Sequence, residues 1–194
     1  MADKGYVLAL GTFDGIHIAH KEVLNLPKDC KKIAVTFEKP PKMFFGGSYE
    51  LIMSFEDKCR SLKSLGYDEI IALDFSQIKD TEPQDFLDFL YKNYAPNVIS
   101  CGFNYRFGKG GKGDVALLTK FCEQKGIILN VCQEVTDKKQ SVSSSVIRNL
   151  LKSGEIEKAN SLLLKPFSFS AEVIKGDSRG RTIGFPTINQ KYPQ

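Results

Sequence analysis

The sequence predicts an α/β fold in which a mostly parallel β-sheet is covered on both faces by helices. Short apolar runs typical of buried strands alternate along most of the chain with stretches whose apolar residues recur at helical spacing. The first such run, residues 6–10, leads directly into a glycine-containing turn and a helix start. Because ligands bind outside the carboxyl ends of the strands in sheets of this kind, this corner is expected to hold the functional site.

Length and composition exclude several classes of protein. The 194 residues are 42% hydrophobic, which suffices to bury one substantial core. A formal charge of +4 lies far below that of a dedicated nucleic-acid binder, so no nucleic-acid partner is expected. Neither a membrane-spanning run nor a signal-peptide pattern is found, which predicts a cytoplasmic protein without a membrane partner. The five cysteines contain no C-x-x-C pair, which argues against a disulfide framework and a zinc site. Oligomeric state is not predicted.

The turn after the first strand carries the only two histidines of the chain, His17 and His20. A helix is predicted to open at about His17 and to end by Pro27. Three positions apart, the two histidines project from one face and can reach the same ligand. The unpaired N–H groups and the positive dipole end of a helix start favour an anion such as a phosphate.

The next elements continue the alternation of strands and helices. Residues 32–37 and 69–75 read as the second and third buried strands. Between them, Ser54 followed by Asp57 is typical of a helix start, and Gly66 of its end.

The second half of the chain repeats this pattern. Thr81 begins a capping-box sequence, and the helix after it has an aromatic stripe that is expected to lie in the core. Residues 97–101 and 127–135 are predicted strands, with a helix over residues 114–125 between them.

The loop after the fourth strand contains Gly108, Gly110 and Gly113, which satisfy the pattern G-x-G-x-x-G. Several residues separate these glycines from the strand, and no Lys-Ser/Thr pair is present. Neither a dinucleotide-binding turn nor a Walker A loop is therefore predicted. The alternative to any ligand-binding role is a flexible glycine loop that only closes the crossover connection between two strands.

A second helix start with anion-binding features follows at Ser143 and Ser144, and its helix ends at Gly154. Serines are favoured N-cap residues, which alone would explain them. Arg148 is expected in the first turn, where a lone positive charge opposes the helix dipole unless an anion is bound.

From about Pro166 the pattern changes, and residues 167–174 alternate like an antiparallel strand. The roughly thirty residues that begin here are too few to close a barrel or bury a core of their own. We therefore predict one domain over residues 1–164 and the start of another over residues 165–194.

Four segments carry a resemblance to a known family. Residues 11–20 resemble the G-x-F-D-G-x-H-x-G-H signature of the nucleotidyltransferase superfamily, specifically the adenylyltransferase half of bacterial bifunctional FAD synthetases (riboflavin kinase/FMN adenylyltransferase). Residues 102–108 are similar to that family's G-x-D/N-F/Y-R-F-G segment, and residues 143–148 to its S-S-T-x-I-R motif. Residues 176–189 resemble the opening of the riboflavin kinase domain, with its G-F-P-T-x-N.

The resemblance implies a Rossmann-like nucleotidyltransferase fold with a parallel sheet, followed by the start of a β-barrel kinase domain. It also implies a reaction: the FMN phosphate attacks the α-phosphorus of ATP, giving FAD and pyrophosphate. Mg²⁺ would bridge the phosphate oxygens. Riboflavin kinase activity is not expected, because the family places the carboxylate base of that reaction further downstream.

The resemblance also implies roles for individual residues. His17 and His20 would donate to phosphate oxygens, and Arg148 would hold the leaving pyrophosphate. The other implied ATP-binding residues are Gly11, Thr12, Phe13, Asp14, Gly15, Ser143 and Ser144. The implied residues on the flavin side are Asn104, Arg106 and Gly108. The kinase motif is represented by Gly176, Gly184, Thr187 and Asn189, of which Thr187 and Asn189 would lie near Mg-ATP in a complete kinase domain.

Two positions depart from the family pattern. Ala19 stands where the family usually has glycine, and Pro40 stands where it has a histidine. These departures leave open a nucleotide- or flavin-binding homologue with little turnover. The alternative among enzymes is another small-molecule nucleotidyltransferase, which would differ in not using FMN as the acceptor.

Overall fold

A five-stranded parallel sheet forms the centre of the computed structural model, which describes residues 5–27, 29–46, 49–177 and 179–191. Its strands are β1 (Tyr6–Leu10), β2 (Lys31–Phe37), β3 (Glu69–Leu73), β4 (Val98–Gly102) and β5 (Ile128–Cys132). They are arranged in the order β3-β2-β1-β4-β5, with every pairing parallel. The predicted fold class is confirmed, although β5 ends at Cys132 rather than at residue 135.

Helices connect the strands and cover the sheet. They are α1 (Ile18–Leu24), α2 (Phe55–Ser64), α3 (Phe75–Ile78), α4 (Pro83–Tyr94) and α5 (Val115–Lys125). A two-stranded ladder of β6 (Thr136–Asp137) and β7 (Gln140–Ser141) then precedes α6 (Ser144–Lys152) and α7 (Ile156–Leu162). None of the helices in the described part of the chain has the length and hydropathy needed to cross a membrane.

The central strand β1 explains why the strands read as continuous apolar runs. Leu8 and Leu10 point to one face of the sheet and pack with buried residues of α4 and α5. Val7 and Ala9 point to the other face and pack with buried residues of α1 and α2. Because both faces are covered, every position from Val7 to Leu10 is apolar and buried. A third cluster around Ile147 joins α6 and α7.

The predicted capping box at Thr81 was wrong. The N-cap of α4 is Glu82, whose side chain makes no capping hydrogen bond, and Pro83 is the first helical residue. Proline is favoured at that position because its missing N–H would have no partner there, so Pro83 places the start one residue later than predicted. The carbonyl of Thr81 instead accepts the N–H of Lys109 at 2.7 Å and anchors the glycine loop.

The strand predicted over residues 167–174 was correct only at its last two residues. There β8 (Val173–Ile174) pairs antiparallel with β9 (Asn189–Gln190), and the short helix α8 (Arg179–Thr182) lies between them. The apolar side chains of this segment are largely exposed, with Phe169 at 52%. The sequence alternates between apolar and polar residues here, but the apolar face is not buried. Nothing therefore stabilises a ladder longer than two residues.

Gly108 is expected to tolerate no side chain. Its φ is +69°, and a Cβ there would lie 2.7 Å from the Cα of Pro83, whereas Gly110 has a similar φ of +61° and nothing within 4 Å. We expect Gly110→Ala to lower the free energy of unfolding by about 1 kcal/mol through backbone strain, and Gly108→Ala by about 2–4 kcal/mol because a clash is added. Urea denaturation measures both losses. Equal losses for the two variants would show that an alanine side chain at position 108 does not clash with Pro83.

Candidate nucleotide site

The two histidines lie side by side at the start of α1, as their spacing predicted. His17 is the N-cap; its Nδ1 accepts the backbone N–H of His20 at 3.2 Å, and the Nδ1 of His20 accepts the N–H of His17 at 3.4 Å. The two rings stack with centroids 3.6 Å apart and planes 13° apart. This reciprocal arrangement is a capping box built from two imidazoles. Two N–H groups expected to face a phosphate are thus already used by the histidines.

The capping box decides which nitrogen of each ring carries the proton. Because Nδ1 accepts a hydrogen bond in both residues, a neutral ring must be protonated on Nε2. Burial lowers the pKa of His17 from its usual 6.5 to about 4. Burial, together with the neighbouring His17 and Lys58, lowers the pKa of His20 well below 6.5. At neutral pH both rings are therefore uncharged Nε2–H donors.

The start of α6 lies beside this pair. Ser143 is the predicted N-cap, and its Oγ accepts the N–H of Val146 at 3.4 Å. Ser144 donates its hydroxyl to the carbonyl oxygen of Asp14 at 2.8 Å, and its Oγ lies 3.5 Å from Nε2 of His17. The structure thus brings together two motifs that are far apart in the sequence.

Asp14 is buried in the turn and uses both of its carboxylate oxygens on the protein itself. Oδ1 accepts the N–H of Ile52 at 2.9 Å, and Oδ2 pairs with Nη2 of Arg148 at 2.9 Å. Arg148 also donates from Nη2 to the Tyr49 hydroxyl and from Nε to the Glu50 carbonyl, and it stacks over the Tyr49 ring. Asp14 therefore joins the turn, the segment 49–52 and α6.

The expectation that Arg148 lies in the first helical turn was wrong. Helix α6 begins at Ser144, so Arg148 is its fifth residue. Its positive charge is balanced by Asp14. Arg148 therefore needs no bound anion to balance its charge, and its role toward ATP stays a prediction.

The glycine loop packs onto the fold through its apolar and glycine residues. Phe107 is buried, and Gly108 lies against α4. Asn104 and Arg106 are exposed beyond the carboxyl end of β4, and Arg106 pairs with Asp114 at 3.6 Å. Asp114 also caps α5, so its carboxylate occupies the helix start that a G-x-G-x-x-G loop would offer to a phosphate. The absence of a dinucleotide-binding turn in this loop stays a prediction.

Residues of the predicted kinase motif lie close together in the β8–β9 hairpin. The side-chain amide of Asn189 occupies the space where a Cβ on Gly176 would be, and Thr187 lies against Gly180. Gly184 has a φ of +80°. These residues are mostly exposed to solvent, and their role in a kinase site stays a prediction.

Sequence reasoning missed Lys58, a buried residue of α2. Its Nζ contacts Thr12 in the histidine turn, which comprises residues 11–17 between β1 and α1. The available signal was helical spacing, since Lys58 lies four residues before Leu62, which is also buried.

An aromatic patch made of the exposed Phe44 and Phe45 and the half-buried Phe75 was also missed. The ring of Phe75 lies 5.2 Å from that of Phe44 and 5.5 Å from that of Phe45. Phe75 follows β3, and the neighbouring Phe37 ends β2, so the patch lies at the carboxyl edge of the sheet. The consecutive apolar residues 43–45 were its signal in the sequence.

The histidine pair predicts a loss of stability in acid. The folded-state pKa of His17 is about 4, whereas an unfolded histidine titrates near 6.5, so the unfolded chain binds more protons between these pH values. The free energy of unfolding should therefore fall as pH drops from 6.5 to 4, by about 3 kcal/mol for His17 alone. Urea denaturation across this range measures the fall. His17→Asn, which keeps an N-cap oxygen, should make it smaller, and an unchanged slope would contradict the interpretation.

Two family matches cover most of the chain. The family described as FAD synthetase matches residues 1–146, and the family described as riboflavin kinase matches residues 163–194.

Curated relatives share the name bifunctional riboflavin kinase/FMN adenylyltransferase. The Listeria monocytogenes protein is 34% identical, with 96% of this chain and 62% of the relative covered. The Bacillus subtilis protein is 33% identical, with 94% and 61% covered, and the Escherichia coli K12 protein is 32% identical, with 96% and 63% covered. The chain thus spans less than two thirds of the length of these relatives.

The fold is also similar to a solved structure. The crystal structure described as a macrolide-efflux protein from Streptococcus pneumoniae superposes with a TM-score of 0.83 at 29% identity. The match covers 98% of this chain and 65% of that protein.

Proposed function

The chain belongs to the FAD synthetase family, and from this premise we propose that it transfers AMP from ATP to FMN, giving FAD and pyrophosphate. The observation that supports this most directly is the pair of neutral Nε2–H donors held at the carboxyl end of β1. Uncharged donors in a partly desolvated site are suited to phosphate oxygens on which negative charge develops during the reaction.

In the proposed step, a phosphate oxygen of FMN attacks the α-phosphorus of ATP. The bond from this phosphorus to the oxygen bridging to the β-phosphorus breaks, and pyrophosphate leaves with the electron pair. The reaction needs no covalent enzyme intermediate, so catalysis rests on alignment and on charge stabilisation.

The histidines would act as hydrogen-bond donors in this step. Each is oriented by a backbone N–H at its Nδ1, so little reorganisation is needed when a phosphate arrives at Nε2. In the structure the Ser144 Oγ, 3.5 Å from Nε2 of His17, is placed to accept from this donor, and the first phosphate oxygen would take its place. Arg148 would reach the pyrophosphate from α6 while Asp14 holds its Nη2.

Mg²⁺ would enter with the nucleotide. The described residues contain no group of three or more histidines, cysteines or carboxylates placed to hold a metal ion. The buried carboxylate nearest the histidines, Asp14, has both oxygens engaged. The described residues alone therefore offer no such cluster for a metal ion, and Mg²⁺ would rely on phosphate and water oxygens. None of the roles above depends on it.

The flavin would lie toward the carboxyl ends of β2, β3 and β4. The aromatic patch offers exposed rings on which a planar apolar ring system can stack. Asn104 and Arg106 are exposed in the loop after β4. We propose that this loop, including Gly108, forms the side of the site that binds the acceptor FMN.

We further propose that the adenylyltransferase domain comprises residues 1–164 and that residues 165–194 begin a riboflavin kinase domain. Leu163 forms a β-bridge with His17, and the N–H of Leu164 donates to the Ile16 carbonyl at 3.1 Å. These contacts tie the end of α7 to the histidine turn, which supports a boundary near residue 164.

The test is an assay with ATP, FMN and MgCl₂ in which FAD is separated chromatographically and pyrophosphate is measured by a coupled enzyme. FAD and pyrophosphate should appear in equal amounts. ATP binding without pyrophosphate release would instead indicate a binding protein in which Ala19 and Pro40 have weakened catalysis. Pyrophosphate release with a non-flavin phosphate acceptor, and none with FMN, would indicate another nucleotidyltransferase.

A further inference from the structure

Lys58 is a buried cation directly behind the histidine turn. Only 2% of the residue is exposed. Its Nζ donates to the Phe37 carbonyl at 2.7 Å, to the Thr12 carbonyl at 3.1 Å and to the Thr36 hydroxyl at 3.4 Å. An ammonium has three N–H groups, so each has an acceptor.

No carboxylate of the described residues forms an ion pair with this ammonium, although Asp14 lies near enough to offset part of the effect of burial, which lowers the pKa of Lys58. None of the ion pairs in the described part of the chain includes Lys58. Burying an ammonium is unfavourable, and an apolar side chain of similar length would usually fill such a space more stably. A buried cation of this kind is therefore a candidate for a functional role.

The contacts of Lys58 place it at the carboxyl edge of the sheet. Phe37 is the last residue of β2, and Thr12 belongs to the turn between β1 and α1. The Thr36 hydroxyl also donates to the Thr12 carbonyl at 2.9 Å, so β2 and Lys58 hold the same carbonyl of the turn. Lys58 is close enough to His20 to help lower the pKa of that imidazole.

We propose that Lys58 is a positioning residue for ATP: its ammonium holds the histidine turn against the end of β2. It also places behind this turn, which the phosphates would face, a positive charge that has no ion-pair partner among the described residues. The inference rests on the proposed function only in naming ATP as the anion. An anion on the far side of the turn gains attraction from this charge, and the low dielectric around it weakens screening.

The titratable groups that face the Lys58 ammonium are Asp14 from the turn, His20 from α1 and Cys59 from α2. From β2 it meets the Thr36 hydroxyl and the Phe37 carbonyl. Burial lowers the pKa of Lys58 from 10.5 to about 8 and raises that of Cys59. Lys58 is therefore the member of this group expected to titrate near pH 8, and it is mainly charged at pH 7.

The experiment compares Lys58→Met, Lys58→Arg and a matched control, Lys32→Met. Lys32 is also a buried lysine, but it lies near the amino end of β2, at the opposite edge of the sheet. MgATP affinity is measured by calorimetry at pH 7, with circular dichroism to verify folding. We expect Lys58→Met to weaken binding about tenfold, Lys58→Arg to stay within about threefold, and Lys32→Met to match the parent. Parent-like binding by a folded Lys58→Met protein would overturn the proposal.

A second measurement decides the matter if Lys58→Met does not fold. Because a bound anion raises the pKa of Lys58, the parent should take up as much as about half a proton on binding ATP at pH 8. Calorimetry in buffers of different ionisation enthalpy measures this uptake, and Lys58→Arg should abolish it. Equal uptake by the parent and Lys58→Arg would overturn the proposal. Both readouts use binding alone, so a parent that binds ATP without forming FAD would contradict the proposed function and leave this inference standing.

Discussion

Replacing both site histidines with residues that keep the helix start, His17→Asn and His20→Gln, should lower the rate of FAD formation by at least about 10²–10³-fold. Asparagine is a favoured N-cap, and glutamine at the third helical position can reach back to the N-cap N–H. The double variant thus preserves the capping box that the two imidazoles form and removes only their Nε2–H groups. The measurement is kcat for FAD formation at saturating ATP and FMN.

The same design separates catalysis from folding. Because the caps are retained, the free energy of unfolding at pH 7 should stay within about 1 kcal/mol of the parent. His17→Ala, which also removes the cap, should lose both rate and stability. FAD formation within tenfold of the parent in a folded double variant would show that the imidazoles are not the phosphate donors.

The second large effect concerns stability. Asp14→Asn should lower the free energy of unfolding by about 3 kcal/mol, because it leaves the Arg148 guanidinium poorly compensated where its side chain is only 13% exposed. The amide keeps an oxygen for the N–H of Ile52, so the change isolates the loss of charge. Arg148→Met should cost a similar amount, since it leaves the carboxylate, 2% exposed, without its cation.

A double-mutant cycle tests this interpretation. The combined variant should lose less than the two single losses added together, with a coupling energy of about 2 kcal/mol in urea denaturation. The surface ion pair of Arg60 with Asp57 provides the control, since the Arg60 side chain is 63% exposed and Arg60→Met should cost less than about 1 kcal/mol. Additive losses at Asp14 and Arg148 would mean that the pair does not act as a unit.

The sequence predicted the sheet and the histidine corner because both depend on local patterns. The buried strand before Gly11 and the three-residue spacing of His17 and His20 are readable within fifteen residues. The tautomer of the two rings is not readable in this way, because it depends on each Nδ1 facing the backbone of the other residue.

The partners of the turn could not be predicted, because they come from distant parts of the chain. Nothing near Asp14 indicates that Arg148, more than a hundred residues later, will neutralise it. Nothing near Lys58 indicates that its ammonium will meet the Thr12 and Phe37 carbonyls. The start of α4 was misplaced for a local reason. Thr81 and Pro83 are both typical of helix starts, and the helix begins at Pro83.

The β-bridge between His17 and Leu163 has a consequence for biosynthesis. Chains are made from the amino end, so the histidine turn leaves the ribosome well before Leu163, which emerges only after most of the domain between them. Contacts so distant in the sequence form late in folding, because the intervening loop must first be closed. A nascent chain should therefore gain ATP affinity in a single late step, which ribosome-stalled chains of increasing length would reveal. The histidine turn is therefore synthesised early but becomes able to bind ATP only after Leu163 has been synthesised.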